Sequence, residues 1–499
     1  MISYTTESTG LTENFKILDA LCREYSKQSL GHFLNSIVIP GDPPRPFGHA
    51  ADPWQRELLA PMIPAFEGLA DIASYAGPSC FMHILSRGHA KSSVEACLAI
   101  WLCLASRRPI HGYILAADRD QGKIIIQAAA DTLRLNPWLT DVQIQRNAIR
   151  GPGGFVEVLP ADVGSMYGLQ GNFYVCDEIV HWKSQEPWTA LFSGTAKISP
   201  CITCVMSNAG LLDSWQHKLY TDYQTDKDWV IFHRPGFIAS WMSRTKVESI
   251  KQGLPPSEAD RLFENRWIDP AEEHDYLRRS EVEACGRNGV TLNLSYRLRP
   301  QIGISNYVAG IDYGPKKDRT ALAVVHQDVN GVVIVDRLDV WERSSGRSVQ
   351  VSAVEEWIRE VNRTFRPRTF VLDEYQMEGS AQMMESSGIP VERFDFRGGH
   401  GNFALAQSLR MLVADQRLAW YPSAGRMSSN DDLSSELIGL RVKRMQYGYR
   451  FDHENQKHDD RAFAVGIAAM RALEHPYTKP ITRPAVAPVG PPRSVPFER

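Results

Sequence analysis

Short apolar runs alternate with longer helical patterns between residues 80 and 206, and this alternation restricts the possible folds more than any other feature of the chain. Strands that are separated by helices pair in parallel, because each crossover helix returns the chain to the same end of the sheet. The sequence therefore predicts an α/β fold with a parallel sheet and helices on its faces. Strands are predicted at 80–85, 112–117, 155–159, 172–176 and 201–206, and helices at 91–106 and 120–135.

A loop at 86–92 joins the first of these strands to the first helix. A phosphate-binding loop needs backbone N–H groups at a helix N-terminus, a lysine for the β- and γ-phosphates and a hydroxyl that ligates Mg²⁺. Lys91 and Ser92 supply the last two. Leu85 and Ala90 stand where the outer glycines of such a P-loop usually occur, so an ordinary polar helix cap is the alternative. The predicted nucleotide-binding residues of the loop are Arg87, Gly88, His89, Ala90, Lys91 and Ser92, with Ser92 also on the metal.

The strand at 172–176 ends in Asp177 and Glu178. A carboxylate at a strand end can hold magnesium through water, and an adjacent glutamate can polarise the water that attacks a γ-phosphate. Such acidic pairs also occur in solvated loops. Downstream of a loop that ends in Lys-Ser, on a parallel-sheet pattern, the pair predicts an ATPase in which Asp177 supports the metal and the nucleotide and Glu178 is catalytic.

Two further pairs of residues have both a functional and a structural interpretation. Gln55, next to Trp54, could contact the adenine edge of a nucleotide, or the two residues could cap a helix. Ser207 and Asn208, after the strand at 201–206, could sense a γ-phosphate or simply form a turn.

The second half of the chain has a different pattern. Strands are predicted at 308–312, 321–325 and 332–338, followed by a helix at 349–361 and a strand at 369–373. Three successive strands and then a helix and a further strand is the order of an RNase H-like sheet.

Carboxylates stand at the ends of strands and at the start of a helix in this second pattern. Asp312 ends its first strand, Asp373 ends a later central strand, and Asp459 and Asp460 open a helix. In an RNase H-like sheet these positions converge, and converged carboxylates bind two hard cations that activate water and stabilise a leaving oxygen. Asp312, Asp373 and Asp460 are therefore predicted to be catalytic metal ligands of a nuclease. Asp459 could cap the helix or bind a second metal, and a turn or a cap is the alternative for each aspartate.

Composition sets limits on partners. The formal charge of −3 gives no global basic field, so any nucleic-acid contact must come from local patches of lysine and arginine. Arg146 or Arg150 could reach a neighbouring subunit's site, although each could equally be a surface residue. Cys201 and Cys204 are spaced like metal ligands but lack a second pair, so a buried strand is the preferred interpretation. Every apolar run is shorter than the ~20 residues that span a bilayer, so a soluble intracellular protein is expected.

The motifs together resemble the large terminase subunit of tailed bacteriophages, the ATP-driven motor that packages viral DNA. The resemblance covers most of the chain and depends on the order of the motifs, although Ala90 departs from the usual Gly-Lys. The residues that carry it are Trp54-Gln55, the loop from Ser86 to Ser92, Val175-Cys176-Asp177-Glu178, Ser207-Asn208-Ala209, Gly310-Ile311-Asp312-Tyr313-Gly314, Val371-Leu372-Asp373-Glu374 and His458-Asp459-Asp460-Arg461.

This resemblance implies an ASCE-type P-loop ATPase followed by an RNase H-like nuclease. It implies ATP and Mg²⁺ as cofactors, with Mn²⁺ possible in the nuclease site. The implied partners are double-stranded DNA, a small terminase subunit and the portal protein of a procapsid, on which the subunits would form a homo-oligomeric ring. The protein would act in the host cytoplasm, transiently attached to the procapsid, and would be absent from the mature virion.

The predicted domains are a helical lead-in at 1–76, the ATPase core at 77–265, a linker or subdomain at 266–305, the nuclease at 306–475 and a flexible Pro-rich tail at 476–499. Two other functions fit parts of the pattern. A helicase-nuclease of DNA repair or restriction would share both sites but needs a second motor domain, which the sequence does not show. A docking protein with vestigial sites would explain Leu85 and Ala90.

Overall fold

The computed structural model describes residues 20–21, 24–161, 166, 168–314, 319–342, 348–373, 377–396, 399–453 and 457–476. The chain divides into two compact units. The first is Met1–Lys251 with Ser257–Glu273, and the second is Gln252–Pro256 with His274–Arg499.

The first unit contains an eight-stranded sheet with the spatial order β10-β3-β9-β8-β4-β7-β6-β5. All neighbours from β10 to β7 are parallel, and β5 and β6 add an antiparallel edge. When β7 is left out with the antiparallel edge and the remaining parallel strands β3, β4, β8, β9 and β10 are numbered 1 to 5 along the chain, their spatial order is 5-1-4-3-2. This is the order of ASCE-type P-loop ATPases. The strands are β3 Cys80–Ile84, β4 Ile110–Ala116, β5 Gln143–Ile144, β6 Ala148–Gly151, β7 Gly154–Pro160, β8 Phe173–Asp177, β9 Ile202–Ser207 and β10 Trp229–His233, and a separate pair is β1 Val38–Ile39 and β2 Arg45–Pro46.

Helices cover both faces of this sheet. Successive residues of β3 belong to different cores, because side chains alternate across a strand: Phe81 packs into one and Met82 into the other. Among the described residues from 30 to 262, the α-helices are α1 Leu30–Ser36, α2 Phe47–Ala50, α3 Pro53–Leu59, α4 Met62–Leu69, α5 Lys91–Ala105, α6 Arg119–Leu135, α7 Glu186–Thr195, α8 Trp215–Asp222, α9 Arg244–Gln252 and α10 Pro256–Leu262.

The second unit contains a six-stranded sheet with the order β15-β14-β11-β12-β13-β16. β11, β12 and β13 are antiparallel, whereas β14 is parallel to β11 and β15 is parallel to β14. This is the RNase H-like arrangement, so the predicted fold class is confirmed. The strands are β11 Tyr307–Asp312, β12 Thr320–Gln327, β13 Val333–Trp341, β14 Phe370–Asp373, β15 Val391–Phe394 and β16 Leu418–Trp420, with a hairpin of β17 Leu440–Met445 and β18 Gly448–His453.

The helices of the second unit are α11 Arg279–Thr291, α12 Val351–Thr364, α13 Glu378–Ser386, α14 His400–Ala414, α15 Leu433–Gly439 and α16 Asp460–Glu474. α11 lies within the segment 266–305 that the sequence assigns to a linker or subdomain. Its buried Val282 and Cys285 join the core of the second unit, so this part of the segment is folded. The polar composition of α11 reflects its exposed face. The Pro-rich tail lies outside the described residues except for Pro476.

Among the helices formed by the described residues, none has the length and apolarity that a bilayer span requires.

Candidate active sites

The first candidate site lies at the carboxyl ends of three adjacent parallel strands. The loop at 86–92 follows β3, Asp177 ends β8, and Ser207 ends β9, which lies between them. Loops at the carboxyl ends of parallel strands form the usual ligand site of α/β sheets. The sheet order thus brings together motifs that are far apart in the sequence.

Lys91 is the first residue of α5 and is almost fully buried. Its ammonium group donates to the carbonyl oxygen of Leu85 at 3.2 Å and lies 3.1 Å from Oε1 of Glu178. Ser92 follows it in the first turn and is half-buried. The lysine therefore lies inside the loop and contacts the acidic pair that ends β8.

The two departures from the standard loop have structural explanations. The N–H of Leu85 donates to the carbonyl oxygen of Ser207 at 2.7 Å, so Leu85 continues the pairing of β3 with β9. Ala90 adopts the left-handed conformation, with φ of 55°, where an alanine costs about 1–2 kcal/mol relative to glycine. Gly88 is also left-handed, and a Cβ there would lie 2.4 Å from Sδ of Met242.

His89 points back into the first unit and supports the loop. Its Nε2 accepts from the N–H of Ile238 at 3.2 Å, so the proton is on Nδ1, which donates to the carbonyl oxygen of Arg87 at 3.3 Å. Burial lowers its pKa, in keeping with a neutral ring. Trp241 donates from its indole to the carbonyl oxygen of Gly88 at 3.1 Å. His89 thus acts on the shape of the loop, whereas the side chain of Arg87 is exposed.

A third carboxylate, which the sequence reasoning missed, belongs to this site. Glu95 is fully buried one turn after Lys91 on α5, and its pKa is raised well above the usual value by burial and by the charges of Asp177 and Glu178. Burial likewise raises the pKa of Asp177 to about 7, with the charge of Glu178 adding to the shift. The sequence did contain a signal for this residue. Glu95 is a single glutamate in the otherwise apolar core of α5, four residues after Lys91.

This group of side chains fits a hard cation. Oδ1 of Asp177 and Oε2 of Glu178 are buried, and neither has a hydrogen-bond partner in the described part of the chain. Carboxylate oxygens are the ligands that Mg²⁺ prefers, and buried acceptors without a partner are costly. Ser92 and Asp177 are the residues that could hold it.

Gln55 has the structural role that the sequence left open. The N–H of Asp52 donates to Oε1 of Gln55 at 2.9 Å, which completes a capping box at the start of α3. Gln55 also lines a cleft of about 820 Å³ beside the start of α5, together with Ala90, Ser93 and Trp241. The capping role is observed, and an additional contact with a nucleotide remains a proposal.

Asn265, which no sequence pattern indicated, ties the strand ends together. Its amide donates to the carbonyl oxygens of Ile84 and Arg234 at 2.8 and 2.9 Å and accepts from the N–H of Ala209 at 3.0 Å. Ser207 and Asn208 are buried, and Asn208 donates to the carbonyl oxygen of Ala209. Ser207 is thus the buried end of β9, and Asn208 follows it directly.

Arg146 and Arg150 are both exposed. The side chain of Arg150 donates to Gln145 at 2.7 Å and lies over the ring of Phe155. Cys201 is half-buried, and Cys204 is buried within β9, as the strand interpretation predicts.

The second candidate site lies at the ends of β11 and β14. These strands are parallel and pair Ile311 with Leu372, so Asp312 and Asp373 end neighbouring strands at the same edge of the sheet. Burial raises the pKa of Asp312 well above its usual value, and the charges of Asp460, Asp459 and Asp373 add to the shift. The four predicted aspartates therefore surround one region.

Gly310 allows α16 to bring Asp460 to this region. α16 packs against β11 and β12, and a Cβ at Gly310 would lie only 2.2 Å from the carbonyl oxygen of Ala464. The close approach places the buried Asp460, at the start of α16, beside the strand that ends in Asp312. His458 contributes a contact from Nδ1 to Oδ2 of Asp460 at 3.5 Å.

Asp459 does not cap α16, contrary to one of the two predicted roles. Its side chain makes no capping hydrogen bond, and Oδ1 instead lies 3.0 Å from Nδ1 of His453 at the end of β18. Asp452, His453 and Asp459 each offer a ligand atom within 4.8 Å of the other two. Asp452 is already bound by Lys443 and Arg450 at 2.9 Å each, so the group of Asp452, His453 and Asp459 is explained as part of a polar network.

The aspartate cluster also fits hard cations. Its donors are carboxylate oxygens, and burial, followed by their mutual repulsion, raises the pKa of Asp312. A divalent cation relieves such repulsion, and two of them suit a group of this size. Asp312, Asp373, Asp459 and Asp460 are the residues that could hold them.

Comparison with protein-family models and with curated proteins gave no match. Among solved structures, the chain is similar to the large terminase of bacteriophage HK97, with 17% identity, 88% of this chain and 98% of that chain covered, and a TM-score of 0.38. The large terminase of a thermophilic bacteriophage in complex with ADP matches with 10% identity, 80% and 98% coverage, and a TM-score of 0.37. The magnesium-bound nuclease of the large terminase from thermophilic phage G20c matches with 15% identity, 38% and 94% coverage, and a TM-score of 0.30. The solved structures that resemble this chain thus include whole large terminases and a terminase nuclease domain.

Proposed function

We propose that this chain is a viral DNA-packaging motor that hydrolyses ATP to translocate double-stranded DNA into a procapsid and cuts the concatemeric genome when packaging starts and ends. The observation that carries the proposal is that one chain has both a Lys91–Glu178 pair on an ASCE-type sheet and an aspartate cluster on an RNase H-like sheet. A protein that moves along DNA and cuts it needs both.

In the ATPase site, Lys91 would exchange its contacts with Leu85 and Glu178 for phosphate oxygens of Mg-ATP. Ser92 and Asp177 would hold the magnesium that arrives with the nucleotide. Released from Lys91, Glu178 would orient and polarise the attacking water. The N–H groups at the start of α5 would face the phosphates.

In the nuclease site, Asp312, Asp373, Asp459 and Asp460 would hold two divalent cations, Mg²⁺ or Mn²⁺. When bound, such ions activate water and stabilise the leaving oxygen of a phosphodiester. The aspartates would fix the separation of the two ions and thereby the position of the scissile phosphate. Because the motifs include no base-reading helix, we expect sequence-independent cutting with a steep dependence on salt.

The proposal includes a homo-oligomeric ring on the portal protein, a small subunit that selects the DNA, and action in the host cytoplasm. A helicase-nuclease is the alternative, and it requires a second motor sheet. The described residues contain one sheet of the motor type, which favours packaging.

The test compares ATP hydrolysis and plasmid cleavage, with Mg²⁺ or Mn²⁺, for the wild type, Glu178→Ala and Asp312→Ala. We expect the first variant to lose only hydrolysis and the second only cleavage. The exposed Glu186 and Glu356 provide matched controls, since alanine there removes a carboxylate from each unit outside the sites. Loss of both activities in either variant, or an inactive wild type that also fails to package DNA into procapsids, would contradict the proposal.

A further inference from the structure

We propose that Glu436 and Arg461 are positioning residues of the nuclease site: Glu436 caps α16 in place of Asp459, so that the carboxylate of Asp459 can face divalent cations, and Arg461 fixes the backbone that carries Asp460. This inference rests on the proposed nuclease function. It concerns two residues that contact each other and the start of α16.

At the N-terminus of α16, a carboxylate from another helix replaces the usual N-cap side chain. The first N–H groups of a helix need acceptors from outside the helix, and an aspartate at the N-cap position normally supplies its own carboxylate. Asp459 occupies that position but makes no such bond. Instead, the N–H of Ala462 donates to Oε1 of Glu436, on α15, at 2.8 Å.

Arg461 holds Glu436 in this role. It is fully buried, and Nη1 donates to Oε2 of Glu436 at 2.6 Å. Its Nε donates to the carbonyl oxygen of Gly425 at 2.9 Å, and its Nη2 lies 3.0 Å from Oδ1 of Asp431. Both oxygens of Glu436 are thereby satisfied, which a buried carboxylate requires.

The consequence is that the consecutive residues Asp459, Asp460 and Arg461 have different roles. Asp460 and Arg461 are adjacent in sequence, so the anchor of Arg461 also fixes the backbone that carries Asp460. Asp459, released from capping, places its carboxylate next to His453 and among the charges that act on Asp312. A carboxylate committed to backbone N–H groups would be a poorer metal ligand.

The experiment uses the full chain with Glu436→Ala, Glu436→Gln and Arg461→Lys. Plasmid cleavage is measured across Mg²⁺ and Mn²⁺ concentrations, and the metal-induced rise in melting temperature is measured on the same samples. Glu392→Gln is the matched control, because Glu392 accepts from Arg471 near the other end of α16 at 2.5 Å. ATP hydrolysis reports whether the first unit is intact.

We expect Glu436→Ala to raise the half-saturating metal concentration by about 10–100-fold, the effect typical of residues that orient metal ligands. Glu436→Gln should raise the half-saturating metal concentration less, since an amide oxygen can still accept from the N–H of Ala462. Glu392→Gln should keep the wild-type metal dependence, and all variants should hydrolyse ATP.

The inference would be overturned if the variants melt at a lower temperature but keep the wild-type metal dependence of both cleavage and thermal shift. Glu436 and Arg461 would then only stabilise the core. If Glu436→Ala does not fold, Glu436→Gln and Arg461→Lys decide by the same criterion. A wild type that cleaves nothing, either alone or during packaging with procapsids, would refute the proposed nuclease. The thermal shift then decides the inference separately: a weaker metal response in the Glu436 variants than in the control supports it, and an equal response overturns it.

Discussion

The ammonium group of Lys91 lies 3.1 Å from a carboxylate oxygen of Glu178, which joins the loop after β3 to the end of β8. Both side chains are largely buried, and Glu178 adopts the left-handed conformation, with φ of 47°. A non-glycine residue in this conformation is uncommon and costly. The backbone is held there by the N–H of Glu178, which donates to the carbonyl oxygen of Met206 at 2.7 Å.

Glu178→Gln should reduce ATP hydrolysis by about 10²–10⁴-fold, the range for loss of a general base, while nucleotide binding persists because Lys91 remains. Lys91→Ala should abolish binding as well. Lys123→Ala is the control, since Lys123 is an exposed lysine that pairs only with Asp120 among the described residues. Turnover and equilibrium binding of labelled ATP measure the two effects. Equal losses of binding in both site variants would contradict the assigned roles.

Gln55→Glu should separate capping from nucleotide recognition. A glutamate oxygen can still accept from the N–H of Asp52, so we expect the cap to be kept, with only the lowering of the melting temperature that a buried carboxylate causes. The amide donor that borders the cleft is lost, so KM for ATP should rise. Gln55→Ala should raise KM and also cost about 1 kcal/mol of stability through the lost cap. An unchanged KM in both variants would leave capping as the function of Gln55.

Gly310→Ala should displace α16 from β11. The added methyl group would lie 2.2 Å from the carbonyl oxygen of Ala464, and overpacking of this kind costs about 1–3 kcal/mol. We expect a lower melting temperature and loss of plasmid cleavage, with ATP hydrolysis retained. Gly379→Ala is the matched control, because a Cβ there meets nothing within 4 Å. Full cleavage by Gly310→Ala would show that the close packing does not position Asp460.

The free energy of unfolding of the metal-free protein should fall as pH rises. Asp177 has a pKa of about 7 in the folded protein against 3.8 as its ordinary value, so the folded state binds the proton more tightly between these values. The stability that this proton confers is present near pH 4 and is lost as pH rises through about 7. Thermal melting in EDTA from pH 5 to pH 8 should show the fall. Asp177→Asn should flatten it, whereas the exposed Glu356→Gln should not. A wild-type slope in Asp177→Asn would assign the effect to other groups.

The sequence determined the order of elements and the type of each strand-end residue. Apolar periodicity located β3, β8, β11 and β14. General chemistry then singled out Lys91 at the start of the helix after β3, and Asp177, Asp312 and Asp373 at the ends of the other three strands. These features are local, because side-chain alternation and helix periodicity are properties of adjacent residues.

Tertiary structure decided which groups complete the sites. Asn265 and Glu436 reach the candidate sites only through packing of elements that are distant in sequence, and nothing local marks either residue. Glu95 lies on the same helix as Lys91, but the packing of α5 decides that it is buried near the acidic pair. Asp459 looked like a helix cap because that is what an aspartate before a helix usually does. The carboxylate of Glu436 took that role from another helix, since a backbone N–H bonds to whichever acceptor the fold brings within reach.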